Sequence, residues 1–256
     1  MSVLRVDLNA DLGEGTGREE RLMALVTSAN IACGGHAGDG SSMREAVILA
    51  LEHGVSVGSH PGLEDRVHFG RRMPPEGALG EAEVRDLIRR QHEALAEVAG
   101  TLGVQVRHLK LHGALYHLAS LDLRVASGVL AALSTWRPVP ALVCLAGSVL
   151  ERRAREWGGV RVVPEGFADR TYLSDGSLTP RTEAGALLSD PGKAAEQVLG
   201  MLREGRVRAA DGSVVVLRPE TICVHGDGGE AEAMLRGVRH ALVEAGVAIQ
   251  RFETGG

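Results

Sequence analysis

Short apolar runs alternate with longer stretches of helical period along nearly the whole chain, and this alternation limits the fold more than any other feature. The strand-like runs are Leu4–Asn9, Ser28–Cys33, Val55–Ser59, Arg107–Leu111, Ala141–Leu145, Val160–Pro164, Thr221–Val224 and Val247–Phe252. Between them, Gly40–His53, Glu81–Leu102, Asp122–Leu133, Gly147–Trp157, Asp190–Arg203 and Gly229–Ala245 carry apolar residues at helical spacing. Asp190-Pro191 supplies an N-cap followed by proline at the first helical position. Regular β–α order calls for parallel strands joined by right-handed crossovers. An α/β barrel or an open doubly wound sheet satisfies it. The 256 residues suit one barrel, and no low-complexity linker or repeat divides them. One domain over residues 1–256 is therefore expected. Two segments interrupt the rhythm, His60–Gly80 and Phe167–Ser189, and loops this long are commonly functional. Arg206–Arg208 and Val214–Leu217, on either side of Asp211-Gly212, read as a small hairpin.

In both architectures chemistry sits at the carboxyl ends of the strands, so the strand ends are informative. The first places Asp7, Asn9 and Asp11 on one face. The second begins at Asn30 and runs into Gly34-Gly35-His36. The third leads through Ser56 and Gly58 to His60. The fourth aligns His108, Lys110 and His112. The sixth ends in Glu165, with Asp169 and Arg170 following, and the seventh ends in His225 and Asp227. Each alone has an ordinary explanation as a turn carboxylate or a half-buried histidine. Together at one rim they mark a site. Only two of the 28 basic residues are lysines, Lys110 and Lys193. A lysine retained in so arginine-rich a chain points to a role for a compact, burial-sensitive ammonium.

The remaining features are less decisive. The glycine-rich segment Cys33–Gly40 suits either an anion cradle at a helix start or a tight turn. It is not a Walker A loop, since no Gly-Lys-Ser/Thr follows. Arg66, Arg71 and Arg72 suit either carboxylate or phosphate binding or a solvated face. Cys33 is a candidate thiol nucleophile at the rim, whereas Cys144 and Cys223 read as core. A net charge of −5 and seven aromatic residues exclude a nucleic-acid footprint. No apolar run approaches the roughly 20 residues of a membrane helix. Polar residues stand where a secretory leader would be apolar. Reduced cysteines and a cytoplasmic location are expected. Neither the number nor the spacing of the cysteines suits a structural zinc.

Several motifs, in order along the chain, resemble the LamB/YcsF family. They are Asp7-Leu8-Asn9-Ala10-Asp11-Leu12-Gly13-Glu14, Ser28 to Asp39, His60-Pro61, Phe69-Gly70-Arg71-Arg72, Lys110 to Tyr116, Glu165 to Tyr172 and Val224-His225-Gly226-Asp227. Gly40, and Leu111 within Lys110-Leu111-His112, depart from the family's usual prolines without removing a reactive group. The resemblance implies a seven-stranded β/α barrel like a TIM barrel, related to the polysaccharide deacetylases. It implies the A subunit of an ATP-dependent 5-oxoprolinase, opening 5-oxo-L-proline to L-glutamate alongside subunits B and C. The expected catalytic residues are then Asp11, His60, Lys110, His112, Glu165 and Asp227. The expected substrate-binding residues are Asp7, Asn9, Asn30, His36, Arg71, Arg170 and His225. ATP is the expected cofactor, with Mg²⁺ as its counter-ion and no protein-encoded metal site. The alternatives are a metal-dependent amide or carbohydrate deacetylase using Asp11, His36 and His60, and a non-catalytic scaffold subunit.

Overall fold

Seven parallel strands close on themselves in a computed structural model that describes residues 3–225 and 230–254. The strands are β1 (Arg5–Leu12), β2 (Ser28–Ala32), β3 (Ser56–His60), β4 (His108–Lys110), β5 (Ala141–Leu145), β6 (Val162–Phe167) and, after a small antiparallel hairpin of β7 (Arg206–Arg208) and β8 (Val214–Val216), β9 (Thr221–Cys223). β9 pairs with both β6 and β1, which closes the barrel and excludes the open sheet. β10 (Ala248–Ile249) lies beside only the first residues of β1, so the eighth strand-like run is no stave of the barrel. It stops well short of the predicted Phe252.

The period-two pattern separates two environments. Val6, Leu8, Ala10 and Leu12 of β1, with Ala29, Ile31, Val57, Leu109, Leu142 and Ile222, belong to the apolar layer between strands and helices. That layer is covered by α1 (Glu19–Met23), α2 (Gly40–His53), α3 (Glu81–Thr101), α4 (Gly113–Leu121), α5 (Leu123–Leu133), α6 (Val149–Trp157), α7 (Pro191–Glu204) and α8 (Ala231–Glu244). The alternate residues of the strands fill the lumen. Ala141, Val143 and Val163 pack there with Phe252, whose ring also meets His108 edge-on at 5.4 Å. Above this apolar plug the lumen is polar.

Two close approaches depend on glycine. A Cβ on Gly58 would lie 2.0 Å from His108 Nε2, so the small residue of β3 makes room for the imidazole of β4. Gly113 has φ 54°, and a Cβ there would meet the Gly70 carbonyl at 2.6 Å. This lets α4 begin directly beneath the first long loop.

Candidate functional site

Lys110 is the hub of the lumen. Its Nζ lies 2.9 Å from Asp11 Oδ1 and 2.9 Å from Glu165 Oε1, and it donates to Asn9 Oδ1 at 3.2 Å and Cys223 Sγ at 3.0 Å. Burial alone would lower its pKa, but the charges beside it, Asp11 foremost, hold it well above the ordinary lysine value. Burial likewise favours a neutral Asp11, yet His60 and Lys110 hold its carboxyl well below the usual carboxylate range. Glu165 is fully buried. Its second oxygen accepts from Tyr116 Oη at 2.7 Å, and its first also accepts from Asn9 Nδ2 at 3.0 Å. Asn30 donates to Asn9 Oδ1 and Asp11 Oδ1, and accepts from His108 Nε2 at 3.0 Å. Deeper still, Asp7 accepts from Thr27, Ser28 and Thr221, and burial raises its pKa to about 6.

A second cluster flanks the hub. His60 Nδ1 donates to the Lys110 carbonyl, and His112 Nε2 to the Phe69 carbonyl, each at 2.9 Å. Phe69 has φ 54°, a left-handed conformation uncommon for a bulky side chain. Backbone strain of this kind collects at functional sites, and here it accompanies the contact that aligns His112. His36 stacks on His112 with ring centroids 3.6 Å apart, and its Nε2 lies 3.1 Å from Glu14 Oε1. Burial pushes the His36 pKa down to about 3 and that of His112 well below its ordinary value. Ligating atoms of Glu14, His36, His60 and His112 all lie within 4.8 Å of one another, so these residues could hold a metal ion.

Both clusters border one cavity of about 520 Å³ at the carboxyl ends of the strands, a size typical of small-molecule sites. Asp11, His60, Lys110, His112, Arg71, Arg170 and His225 line it. Both interrupting loops supply wall, the first through Arg71 and Met73, the second through Ser177 to Thr182. Arg170 is fixed by the carbonyls of Thr179 and Ala186, and burial lowers its pKa to about 10. His225 Nδ1 faces Asp169 at 2.9 Å and stacks on Phe167. Asp7, Asn9, Asn30, His36 and Glu165 stand behind the wall as supports. Asp227 lies outside the described residues.

Some readings change. The amides at the start of α2 are capped by Asp39, which accepts from Ser41 and Ser42, so the glycine-rich segment is built as a turn. Arg66 bonds the Gly34 and Gly38 carbonyls, and Arg72 pairs with Asp65; Arg71 is the arginine of this trio on the cavity. Cys33 is buried with its thiol pKa pushed up to about 12, which makes it a poor nucleophile. Cys223 is a core residue, as expected, and its Sγ also accepts from Lys110 Nζ. The strand-end census missed Glu14 and Tyr116 as site residues, although both lie in the motifs that carry the resemblance. Glu14 follows the strand by two residues, and Tyr116 sits on a helix that begins at the site.

Comparison with known proteins agrees with this architecture. The sequence profile of the LamB/YcsF family matches residues 6–255. The chain is 45% identical over 250 residues to a 5-oxoprolinase A subunit from Bordetella pertussis, covering 96% of this chain and 98% of that one. It is 44% identical over 254 residues to the 5-oxoprolinase A subunit from Thermus thermophilus, covering 97% and 100%. A crystal structure of a lactam utilization protein from Thermus thermophilus superposes with a TM-score of 0.88 at 42% identity, covering 97% of this chain and 100% of that one. With its motif residues gathered at one barrel mouth and a match over nearly its whole length, the chain belongs to the LamB/YcsF family.

Proposed function

We propose that this chain is the A component of an ATP-dependent 5-oxoprolinase, opening the lactam of 5-oxo-L-proline to L-glutamate together with subunits B and C. The observation that carries this reading is the placement of the family motifs. A chain alike from end to end to 5-oxoprolinase A subunits puts Asp11, His60, Lys110, His112, Arg71, Arg170 and His225 around one cavity.

The chemistry fits that wall. A five-membered lactam is a stable amide, and phosphoryl transfer from ATP to its oxygen makes the carbon electrophilic while releasing ADP. Water then adds, the C–N bond breaks with a proton delivered to nitrogen, and a second water frees phosphate from the acyl phosphate. Lys110, permanently charged, serves as a fixed cation for the developing negative charge rather than as a base. Arg71 and Arg170 suit the substrate carboxylate and the phosphoryl oxygens. Asp11 and His60, 3.3 Å apart, are the pair placed to handle the proton of water. Glu165 does not reach the cavity and acts by positioning Lys110 and Tyr116. Mg²⁺ accompanies ATP as its counter-ion.

The test is to measure ADP and glutamate formed from 5-oxoproline and ATP by this chain alone and with subunits B and C. Turnover is expected only in the assembly. Lys110→Ala should lower it by roughly 10²–10³-fold. An assembly that forms no glutamate, or a Lys110→Ala variant with unchanged turnover, would overturn the assignment.

A further inference from the structure

We propose that Glu14, His60 and His112 form a divalent-cation site on the cavity wall, with His36 orienting Glu14. The ring tautomers follow from the carbonyl contacts. A backbone carbonyl only accepts, so the 2.9 Å contacts to the Lys110 and Phe69 carbonyls place the ring protons on His60 Nδ1 and His112 Nε2. When both rings are neutral, bare lone pairs stand at His60 Nε2 and His112 Nδ1, which lie 3.0 Å apart. Glu14 Oε1 stands 3.5 Å from His112 Nδ1, and Asp11 Oδ2 stands 3.3 Å from His60 Nε2. Four electron-rich atoms converge where a cation belongs.

The spacing suits a metal ion. Metal–ligand bonds of about 2.0–2.1 Å in a tetrahedral site put neighbouring ligand atoms about 3.4 Å apart, and the observed separations are 3.0 and 3.5 Å. The carbonyl contacts at the far nitrogens are the usual outer partners of metal-binding histidines. His36 plays a different part. Its ring lies parallel to His112, only 3° off, so its in-plane lone pair cannot aim at the same point. Its Nε2 donates to Glu14 at 3.1 Å, while Nδ1 has no hydrogen-bond partner among the described residues, as fits a bare lone pair.

Charge points the same way. The Asp11, Glu14, Glu165 and Lys110 side chains are each at most 8% exposed. Carboxylates this deeply buried favour a cation close by. Two imidazoles and a carboxylate favour zinc, manganese, iron, cobalt or nickel over the all-oxygen preference of calcium and magnesium. Because His60 and His112 line the cavity, the open coordination position faces it beside Asp11. This ligand set differs from the Asp11, His36 and His60 trio of the deacetylase alternative, and it revises the expectation of no protein-encoded metal. It does not rest on the lactam reading.

The experiment uses the full chain, stripped with a chelator, verified as folded by circular dichroism and titrated with Co²⁺. The readouts are visible d–d absorption and bound metal by elemental analysis, neither of which requires turnover. One Co²⁺ per chain is expected, displaced by Zn²⁺. His36→Ala should weaken binding by roughly 10–100-fold, and Glu14→Gln and His112→Ala by more. Glu14→Gln keeps the side-chain volume, so it decides the matter if His112→Ala fails to fold. No stoichiometric binding by the wild type, or equal affinity in Glu14→Gln, would overturn the site.

Discussion

Asp7 lies at the deepest polar level of the lumen, where three hydroxyls satisfy its carboxyl and no cation among the described residues pairs with it. Its pKa rises from 3.8 to about 6, chiefly through burial. Between about pH 4 and 6 the folded state keeps a proton that the unfolded chain has released. The contribution of this group to stability is therefore full below pH 4 and is lost as pH rises through 6. Unfolding free energies of wild type and Asp7→Asn, compared across that window, should shift by about 3 kcal/mol in favour of the variant toward neutral pH. A difference that stays flat with pH would show that Asp7 titrates normally. Single residues of this kind were legible in part. Period two put Asp7, Asn9 and Asp11 on one face, and the structure puts all three in the lumen. Whether a lumen residue touches the cavity or supports one that does depends on its height in the barrel. That height is set by strand pairings between residues far apart in sequence, such as Asp7 with Thr221, and periodicity carries no such information.

Among the elements, β3 and β4 show how narrowly the site is fitted. Gly58→Ala would drive a methyl group into His108 and break its bond to Asn30, which in turn orients Asp11. A loss of about 2–4 kcal/mol is expected from overpacking and the severed hydrogen bond, measurable by urea unfolding. Adding His108→Ala should recover part of that loss. Strict additivity in the double variant would show that the two residues do not collide. The longer elements were legible because their apolar stripes repeat over several turns, as in α2 and α3. α1 has five residues, too few to show a period. α4 begins at a glycine within the Lys110–Tyr116 motif, so its first turn reads as a loop. β10 ends early because Phe252 turns under the barrel instead of extending the strand.

On the scale of the molecule, the number of staves was the least legible feature. Eight strand-like runs allow seven or eight, and the pairing of β9 with both β6 and β1 decides for seven. Among the described residues no helix is long and apolar enough to cross a membrane. The apolar plug of Ala141, Val143, Val163 and Phe252 has a kinetic consequence. It closes the lumen beneath the polar site, so on the proposed reading product and substrate share the space at the carboxyl ends of the strands. If the proposed reaction runs in this cavity, glutamate and 5-oxoproline cannot occupy it together, and inhibition of the assembly by glutamate should be competitive with 5-oxoproline, read from initial rates at several concentrations of both. A purely noncompetitive pattern would mean that glutamate binds an enzyme form other than the one that takes up 5-oxoproline.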